Sequence, residues 1–210
     1  MHYAASWELG DAVSALIVKG ASVNAANSSG ETPLFSAIQT DNPKIVKELL
    51  DNGANVNAHD NLGNTPLHHA VSWNANKAAD ILFKHNAEID AKNVSGKTPL
   101  AFAARTGKLQ IAQMLVNAGA YVDSTDATGK PVITDAIERR KADIAEMLIK
   151  NGANVQIQDM YGSNPYHEAA KTRNITLINL VRNAGANPLS RDSYGNTPFS
   201  ILIKDSDTLI

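Results

Sequence analysis

The sequence predicts an all-α protein built from stacked helix–turn–helix units that are joined by extended loops. Glycine recurs every 33 residues without an insertion, at Gly30, Gly63, Gly96, Gly129, Gly162 and Gly195. Most of these glycines precede a short apolar segment, a polar turn and a second segment whose apolar residues fall at helical spacing. Self-similarity at a fixed period of about 20–50 residues is typical of repeat arrays, in which neighbouring units complete each other's core.

The period organises residues 1–210 as a single predicted domain of five full repeats with a partial repeat at each end. The predicted boundaries are 1–29 for the partial N-terminal repeat, 30–62, 63–95, 96–128, 129–161 and 162–194 for the full repeats, and 195–210 for the truncated C-terminal repeat. Four full repeats are well formed and one is degenerate. Natural arrays usually end in polar capping repeats, so we expect this chain to be a piece of a longer protein.

The first helix of each repeat is predicted to begin at a Thr-Pro pair. Thr32 can cap the helix, and Pro33 occupies the first turn, where no amide donor is needed. The pair recurs as Thr65-Pro66, Thr98-Pro99 and Thr197-Pro198. In repeat 129–161, Pro131 stands one place early without a preceding Thr, which leaves the start of that helix undefined. Small residues at one place of the first helix predict a close approach of neighbouring helices; they are Ala37, Ala70, Ala103, Ala136 and Ala169.

The second helix of each repeat is predicted from an apolar stripe such as Ile45, Val46, Leu49 and Leu50. It ends at a residue suited to the left-handed conformation, which is Gly53, Asn86, Gly119, Gly152 or Gly185. An extended loop follows, and the carboxylates that recur once in most repeats, such as Asp60, are interpreted as turn formers. Arg140 and Arg173 stand at the inter-helix place of Gly107, which predicts turns of a different shape there.

The motifs Thr65-Pro66-Leu67-His68-His69-Ala70, Ile45 to Leu50 and Gly53-Ala54-Asn55-Val56-Asn57 resemble the ankyrin repeat. The resemblance covers essentially the whole chain. It implies an ankyrin-repeat solenoid with projecting β-hairpin-like loops, arranged as a row of fingers. It also implies that the concave surface formed by the fingers and the first helices binds other proteins, and that the domain has no catalytic activity.

Composition limits the classes of partner. The formal net charge of −2 gives no overall field that would attract nucleic acid or an acidic membrane surface. Cysteine is absent, and apolar runs are far shorter than the ~20 residues that a bilayer requires. We therefore expect a protein partner, with no nucleic acid and no membrane, and a monomer. The start of the chain does not resemble a signal peptide, and a cytoplasmic location is favoured.

The six histidines raise the hypothesis of a metal or catalytic site. However, His2, His68 and His167 occupy one repeat place, where an imidazole is better suited to hydrogen-bond a neighbouring backbone turn. His69 points to a different side of the helix from His68, so the pair does not have chelate spacing. No phosphate-binding loop or nucleophile motif occurs. The sequence predicts no catalytic residue, no metal site and no cofactor, and hence no enzyme.

Residues that vary between repeats at places the fold does not dictate are the candidates for partner binding. The candidates at the finger tips and first-helix ends are Leu62, Trp73, Arg105, Arg139, Met160, Tyr161, Lys171 and Tyr194. Trp73 and Trp7 share one repeat place, and each could instead pack over the adjacent helix. A second set of cations lies near the inter-helix turns: Arg105, Lys108, Arg139, Arg140, Lys141, Lys171, Arg173 and Lys204. They either form a basic ridge for an acidic partner segment or, as is favoured, a solvated edge.

The sequence therefore predicts a non-catalytic protein–protein interaction module that binds its partner through the concave face and the loop tips. The alternative is a targeting or regulatory arm of a larger multidomain enzyme, channel or secreted effector whose activity lies outside these residues.

Overall fold

The computed structural model describes residues 1–204, and residues 205–210 of the predicted truncated repeat 195–210 lie outside the described residues. Within 1–204 there are thirteen α-helices and one isolated β-bridge, between Thr125 and Pro131. A short first helix and a nine-residue second helix alternate along the chain. The first helices are α1 (His2–Ser6), α3 (Pro33–Gln39), α5 (Pro66–Trp73), α7 (Pro99–Thr106), α9 (Val132–Glu138), α11 (Pro165–Thr172) and α13 (Pro198–Lys204). The second helices are α2 (Gly10–Val18), α4 (Pro43–Asp51), α6 (Asn76–Lys84), α8 (Leu109–Asn117), α10 (Ala142–Lys150) and α12 (Ile175–Asn183).

The chain forms two compact units, one of Met1–Phe102 with Asn117–Gly119 and the other of Ala103–Val116 with the chain from Ala120 onward. In the first unit, α3 packs between α1 and α5, and α4 packs between α2 and α6. In the second unit, α11 packs between α9 and α13, and α10 packs on α12. Like elements of successive repeats thus lie side by side within each unit, while the single domain 1–210 stays a prediction.

The core of each unit is made of the apolar positions that repeat with the period. The alanine place predicted for close helix approach is fully buried in both units, as at Ala70 and Ala169. Large side chains such as Leu34 and Ile137 are also fully buried. Apolar surface removed from water contributes about 25 cal/mol per Å², so this repeated layer is the main source of stability in each unit.

The predicted starts of the first helices are confirmed in some repeats and not in others. Thr98 and Thr197 cap their helices, accepting hydrogen bonds from the amides of Ala101 at 3.3 Å and Ser200 at 3.1 Å. The prediction that Thr32 caps its helix is wrong: its buried Oγ1 has no hydrogen-bond partner. Helix α9 begins at Val132, the same repeat place as the prolines that start the other first helices, because Pro131 holds the extended conformation that precedes it.

The inter-helix turns keep one shape throughout, which corrects the expectation for Arg140 and Arg173. Their φ angles are 55° and 54°, in the left-handed region, as is the 78° of Gly107. The left-handed conformation costs an L-residue about 1–2 kcal/mol. Packing of the two helices around the turn outweighs that cost.

The loops between repeats are hairpin-like fingers, by which we mean the segments from the end of a second helix to the next first helix. Each finger closes with a five-residue turn, as where the Asp60 amide donates to the Asn64 carbonyl at 3.0 Å. Successive fingers are joined through the backbone: the Val94 amide donates to Leu62 O at 3.0 Å in the first unit, and the Ser193 amide donates to Tyr161 O at 2.8 Å in the second. The fingers within each unit therefore present their tips at fixed spacing.

Close finger packing predicts a difference between two glycine substitutions. A Cβ on Gly30, where φ is +79°, would lie 2.6 Å from Asn61 Oδ1 and 2.9 Å from its amide nitrogen, whereas a Cβ on Gly53, at φ +85°, meets open space. Both substitutions carry backbone strain, but only Gly30→Ala adds a steric clash. We expect Gly53→Ala to cost about 1–2 kcal/mol and Gly30→Ala about 2–4 kcal/mol because overpacking is added. Urea unfolding measures both losses, and equal losses would show that the fingers yield freely.

Candidate functional site

His68 ties helix α5 to the finger of the following repeat. The imidazole is fully buried, its Nδ1 accepts a hydrogen bond from the Thr65 amide at 3.1 Å, and its Nε2 lies 2.9 Å from Lys97 O. The ring also meets Phe102 edge-on, with ring centroids 5.3 Å apart. Burial lowers the pKa of His68 to about 4, so the ring is neutral at physiological pH.

The same backbone bridge recurs at the other two histidines of this repeat place. His2 Nε2 lies 2.9 Å from Glu31 O, and His167 Nε2 lies 3.2 Å from Asn196 O. Each ring thus reaches a carbonyl 29 residues later in the chain. The predicted structural role of these histidines is confirmed.

His69 occupies a different side of α5 and faces Asp60 in the preceding finger. Its Nε2 lies 2.9 Å from Asp60 Oδ2, and its ring meets Phe35 edge-on at a centroid distance of 4.7 Å. Burial acts to raise the pKa of the Asp60 carboxyl, but hydrogen bonds from His69 and Asn64 outweigh it and hold the pKa below its ordinary value. Asp60 Oδ1 also accepts from the Leu62 amide at 2.8 Å, which confirms the turn-forming role of this carboxylate.

Among residues 1–204, no three His, Cys, Asp or Glu side chains are grouped so as to hold a metal ion. Nor does any helix there combine the length and apolarity needed to cross a membrane.

A groove of about 530 Å³ opens in the first unit, between the finger tips and the C-terminal end of α5. We call it the Trp73 groove; it is lined by Ser28, Ser29, Glu31, Asp60, Asn61, Leu62, Asn64, His69, Ser72 and Trp73. Two of the predicted partner-binding residues, Leu62 and Trp73, thus line one concavity. Their side chains are 62% and 53% exposed, so each has a large apolar area that the fold does not cover.

A second groove, of about 400 Å³, lies at the corresponding place in the second unit. We call it the Tyr161 groove; it is lined by Asp159, Tyr161, Ser163, Lys171, Asp192, Tyr194, Asn196, Ile201 and Lys204. Three more predicted residues, Tyr161, Lys171 and Tyr194, meet here. Tyr194 stands four repeats after Leu62, and Lys204 stands four repeats after Ser72.

The remaining three predicted residues, Arg105, Arg139 and Met160, are exposed but line neither groove. Several cations of the suggested basic ridge are engaged within the chain. Lys171 pairs with Glu168, and Arg140 donates to Thr172 O at 3.1 Å. These contacts favour the interpretation as a solvated edge.

Sequence reasoning missed the acidic side of the Trp73 groove. Glu31, Asp60 and His69 line the Trp73 groove but were not among the predicted partner-binding residues. Ile201, which lines the Tyr161 groove, was missed as well. The available signal was the repeat register, because Asp60 at the end of repeat 30–62 faces His69 in the first helix of the following repeat.

Comparison with known proteins decides the family. A family model described as ankyrin repeats (3 copies) matches residues 1–93 and 86–159. The chain belongs to the ankyrin-repeat family. No curated protein matches the chain significantly.

Solved ankyrin-repeat structures share the fold over nearly the whole chain. The ankyrin repeat domain of Bcl-3, described as a unique member of the IkappaB protein family, is similar with a TM-score of 0.86 and 25% identity over 95% of this chain and 92% of that one. The human ASB11 ankyrin repeat domain is similar with a TM-score of 0.83 and 24% identity over 95% of this chain and 90% of that one. The predicted fold class, an all-α ankyrin-repeat solenoid, is confirmed. Ankyrin repeats are generally protein–protein interaction modules and not catalysts.

Proposed function

We propose that this ankyrin-repeat chain is a non-catalytic recognition module that binds a partner protein through its finger tips and first-helix ends. The observation that carries the proposal is the clustering of Leu62 and Trp73 in the Trp73 groove, with more than half of each side chain exposed. Large apolar side chains concentrated in a concavity are typical of binding hot spots, where Trp is enriched. The fold does not use this surface for its own core.

Rigid docking is the expected mode. Finger tips are joined by backbone hydrogen bonds within each unit, as between Val94 and Leu62, so the surface is held in place before a partner arrives. A preorganised surface spends little free energy on ordering when it binds. Affinity is then concentrated in the few side chains that are exposed and apolar.

Trp73→Ala is expected to weaken partner binding about tenfold or more, as removal of a hot-spot residue does, while the thermal unfolding midpoint stays nearly unchanged. Partners are captured from the source proteome with the intact chain, identified by mass spectrometry and purified, and their Kd values are measured by calorimetry. The capture is repeated with a Trp73→Ala, Arg139→Ala double variant.

Trp7→Ala is the matched control. Trp7 stands at the same repeat place as Trp73 and is 71% exposed, but it does not line the groove. Its removal is expected to leave Kd within about twofold of the wild type, since truncations outside the hot spot of an interface are usually near neutral. A large fall in melting temperature on Trp73→Ala would instead identify Trp73 as a structural residue, and turnover of a substrate by the purified chain would refute the non-catalytic proposal.

A further inference from the structure

The Trp73 groove combines negative charge with apolar surface. Two carboxylates, Glu31 and Asp60, are among its lining residues, whereas none of those residues is Lys or Arg. Its one titratable nitrogen group, His69, lies against Asp60 at 2.9 Å. Residues 1–95, which supply every residue of the groove, carry 6 Lys and Arg against 10 Asp and Glu. A partner placed here meets a surface without a fixed positive charge.

Glu31 is the carboxylate that remains available to a partner. Its Oε2 accepts a hydrogen bond from Asn27 Nδ2 at 3.0 Å, and no Lys or Arg in the described part of the chain forms an ion pair with it. Asp60, by contrast, already accepts hydrogen bonds from the Leu62 and Asn64 amides, from Asn64 Nδ2 and from His69. The Glu31 carboxylate therefore has no Lys or Arg partner among residues 1–204, and a cation from a partner protein can pair with it.

We propose that the Trp73 groove binds an extended segment of a partner protein in which an arginine stands beside an apolar side chain. The inference rests on the proposed protein-binding function and specifies the chemistry of its partner. A guanidinium group satisfies both features of the groove at once. Its planar fork matches a carboxylate such as Glu31, and its face stacks on an indole such as Trp73.

The rest of the groove suits the other parts of such a segment. Leu62 offers an apolar surface for the neighbouring side chain. Ser28 and Ser29 are exposed and line the groove, where their hydroxyls can hydrogen-bond the backbone of an extended chain. Apolar anchors at the centre with polar groups around them are the usual arrangement of an interface.

An acidic segment is disfavoured in this groove because like charges would be brought together during desolvation. The Tyr161 groove has a different charge pattern at equivalent repeat places. Lys204 stands there in place of Ser72, and Lys171 also lines it. The preference for an arginine segment is thus expected of the Trp73 groove alone.

Selection from a random 12-residue peptide library displayed on phage, against the full chain, tests the inference. Enriched peptides are synthesised, and their Kd values are measured against the wild type, Trp73→Ala, Glu31→Lys and Glu88→Lys by fluorescence anisotropy. Glu88→Lys is the matched control because it makes the same change of charge at an exposed residue that does not line the groove. Circular dichroism melting verifies that each variant is folded.

The expected result is enrichment of peptides with arginine next to an apolar residue. Their affinity is expected to fall about tenfold or more with Trp73→Ala and with Glu31→Lys but less than about twofold with Glu88→Lys, where only screened long-range charge changes. Replacing the peptide arginine by glutamine should reproduce the loss caused by Glu31→Lys.

Three results would overturn the inference. The first is enrichment of peptides that lack a basic residue yet lose affinity with Trp73→Ala; this would leave the proposed protein-binding function standing with another partner chemistry. The second is an equal effect of Glu31→Lys and Glu88→Lys. The third is the absence of any enriched peptide, in which case the proteome capture separately decides whether the chain binds proteins at all.

Discussion

Replacing His68 with alanine is expected to lower the free energy of unfolding by about 3–5 kcal/mol at pH 7.5. The side chain is fully buried, and its two ring nitrogens bond the Thr65 amide and the Lys97 carbonyl. Truncation leaves both backbone groups without these partners, at about 1–3 kcal/mol for each buried unsatisfied group, and also leaves a cavity beside Phe102. Urea unfolding at equilibrium, followed by circular dichroism, measures the loss.

His59→Ala is the control for this prediction. His59 is exposed in a finger, so its truncation is expected to change stability by no more than about 0.5 kcal/mol. His68→Asn tests the cause further, since a shorter polar side chain cannot span the distance to both partners. A loss below about 1 kcal/mol for His68→Ala would mean that water replaces the imidazole at both backbone groups.

The period predicted the parts of this fold that each repeat determines for itself. Asn86 was expected to replace glycine at the end of a second helix, and its φ angle is 59°. The place of His68 predicted a bond to a neighbouring turn, and the structure places His68 Nε2 2.9 Å from Lys97 O. In both cases the residue present suits the backbone geometry at its own repeat place, so the sequence pattern carries the information.

Features that depend on neighbouring repeats were less accessible from the sequence. The left-handed Arg140 and Arg173 were expected to change the shape of their turns, because a local preference was weighed without the packing of the helices on either side. The Trp73 groove is another example. Glu31 and His69 are far apart in sequence, and only the spacing between fingers and first helices brings them to one surface.

Repeat place alone does not decide which candidates line a groove. Arg139 shares the repeat place of Trp73, and Arg105 shares that of Lys171, yet neither arginine lines either groove. The neighbouring side chains, which differ from repeat to repeat, separate the two groups, so the sequence period could not distinguish them.

The stability of the protein is expected to fall as the pH is lowered from about 6.5 to about 4, and His68 accounts for a defined part of the loss. Its pKa is about 4 in the folded state because burial disfavours the charged ring, against about 6.5 in an unfolded chain. Between these values the unfolded state binds a proton that the folded state does not. The unfolded state is therefore favoured as the pH falls, by up to about 3 kcal/mol in total from this one group.

The hydrogen bonds of His68 also predict that protonation of the ring destabilises the folded state. In the folded state Nδ1 faces the Thr65 amide, which donates to it, while Nε2 faces a carbonyl. A proton on Nδ1 would place an N–H donor opposite the Thr65 amide, which is also a donor. The contribution of His68 is therefore complete above pH 6.5, is lost between pH 6.5 and 4, and changes little below that.

The measurement is the free energy of unfolding in urea at intervals from pH 7.5 to 4, for the wild type and for His68→Gln. Glutamine keeps a polar side chain but does not titrate, so the difference between the two curves isolates the imidazole. Asp60, whose folded pKa lies below its ordinary value, contributes stability that is lost mainly below pH 4, and it is present in both proteins. The two curves should converge as the pH falls; parallel curves would show that His68 carries the same charge in the folded and unfolded states, contrary to its burial.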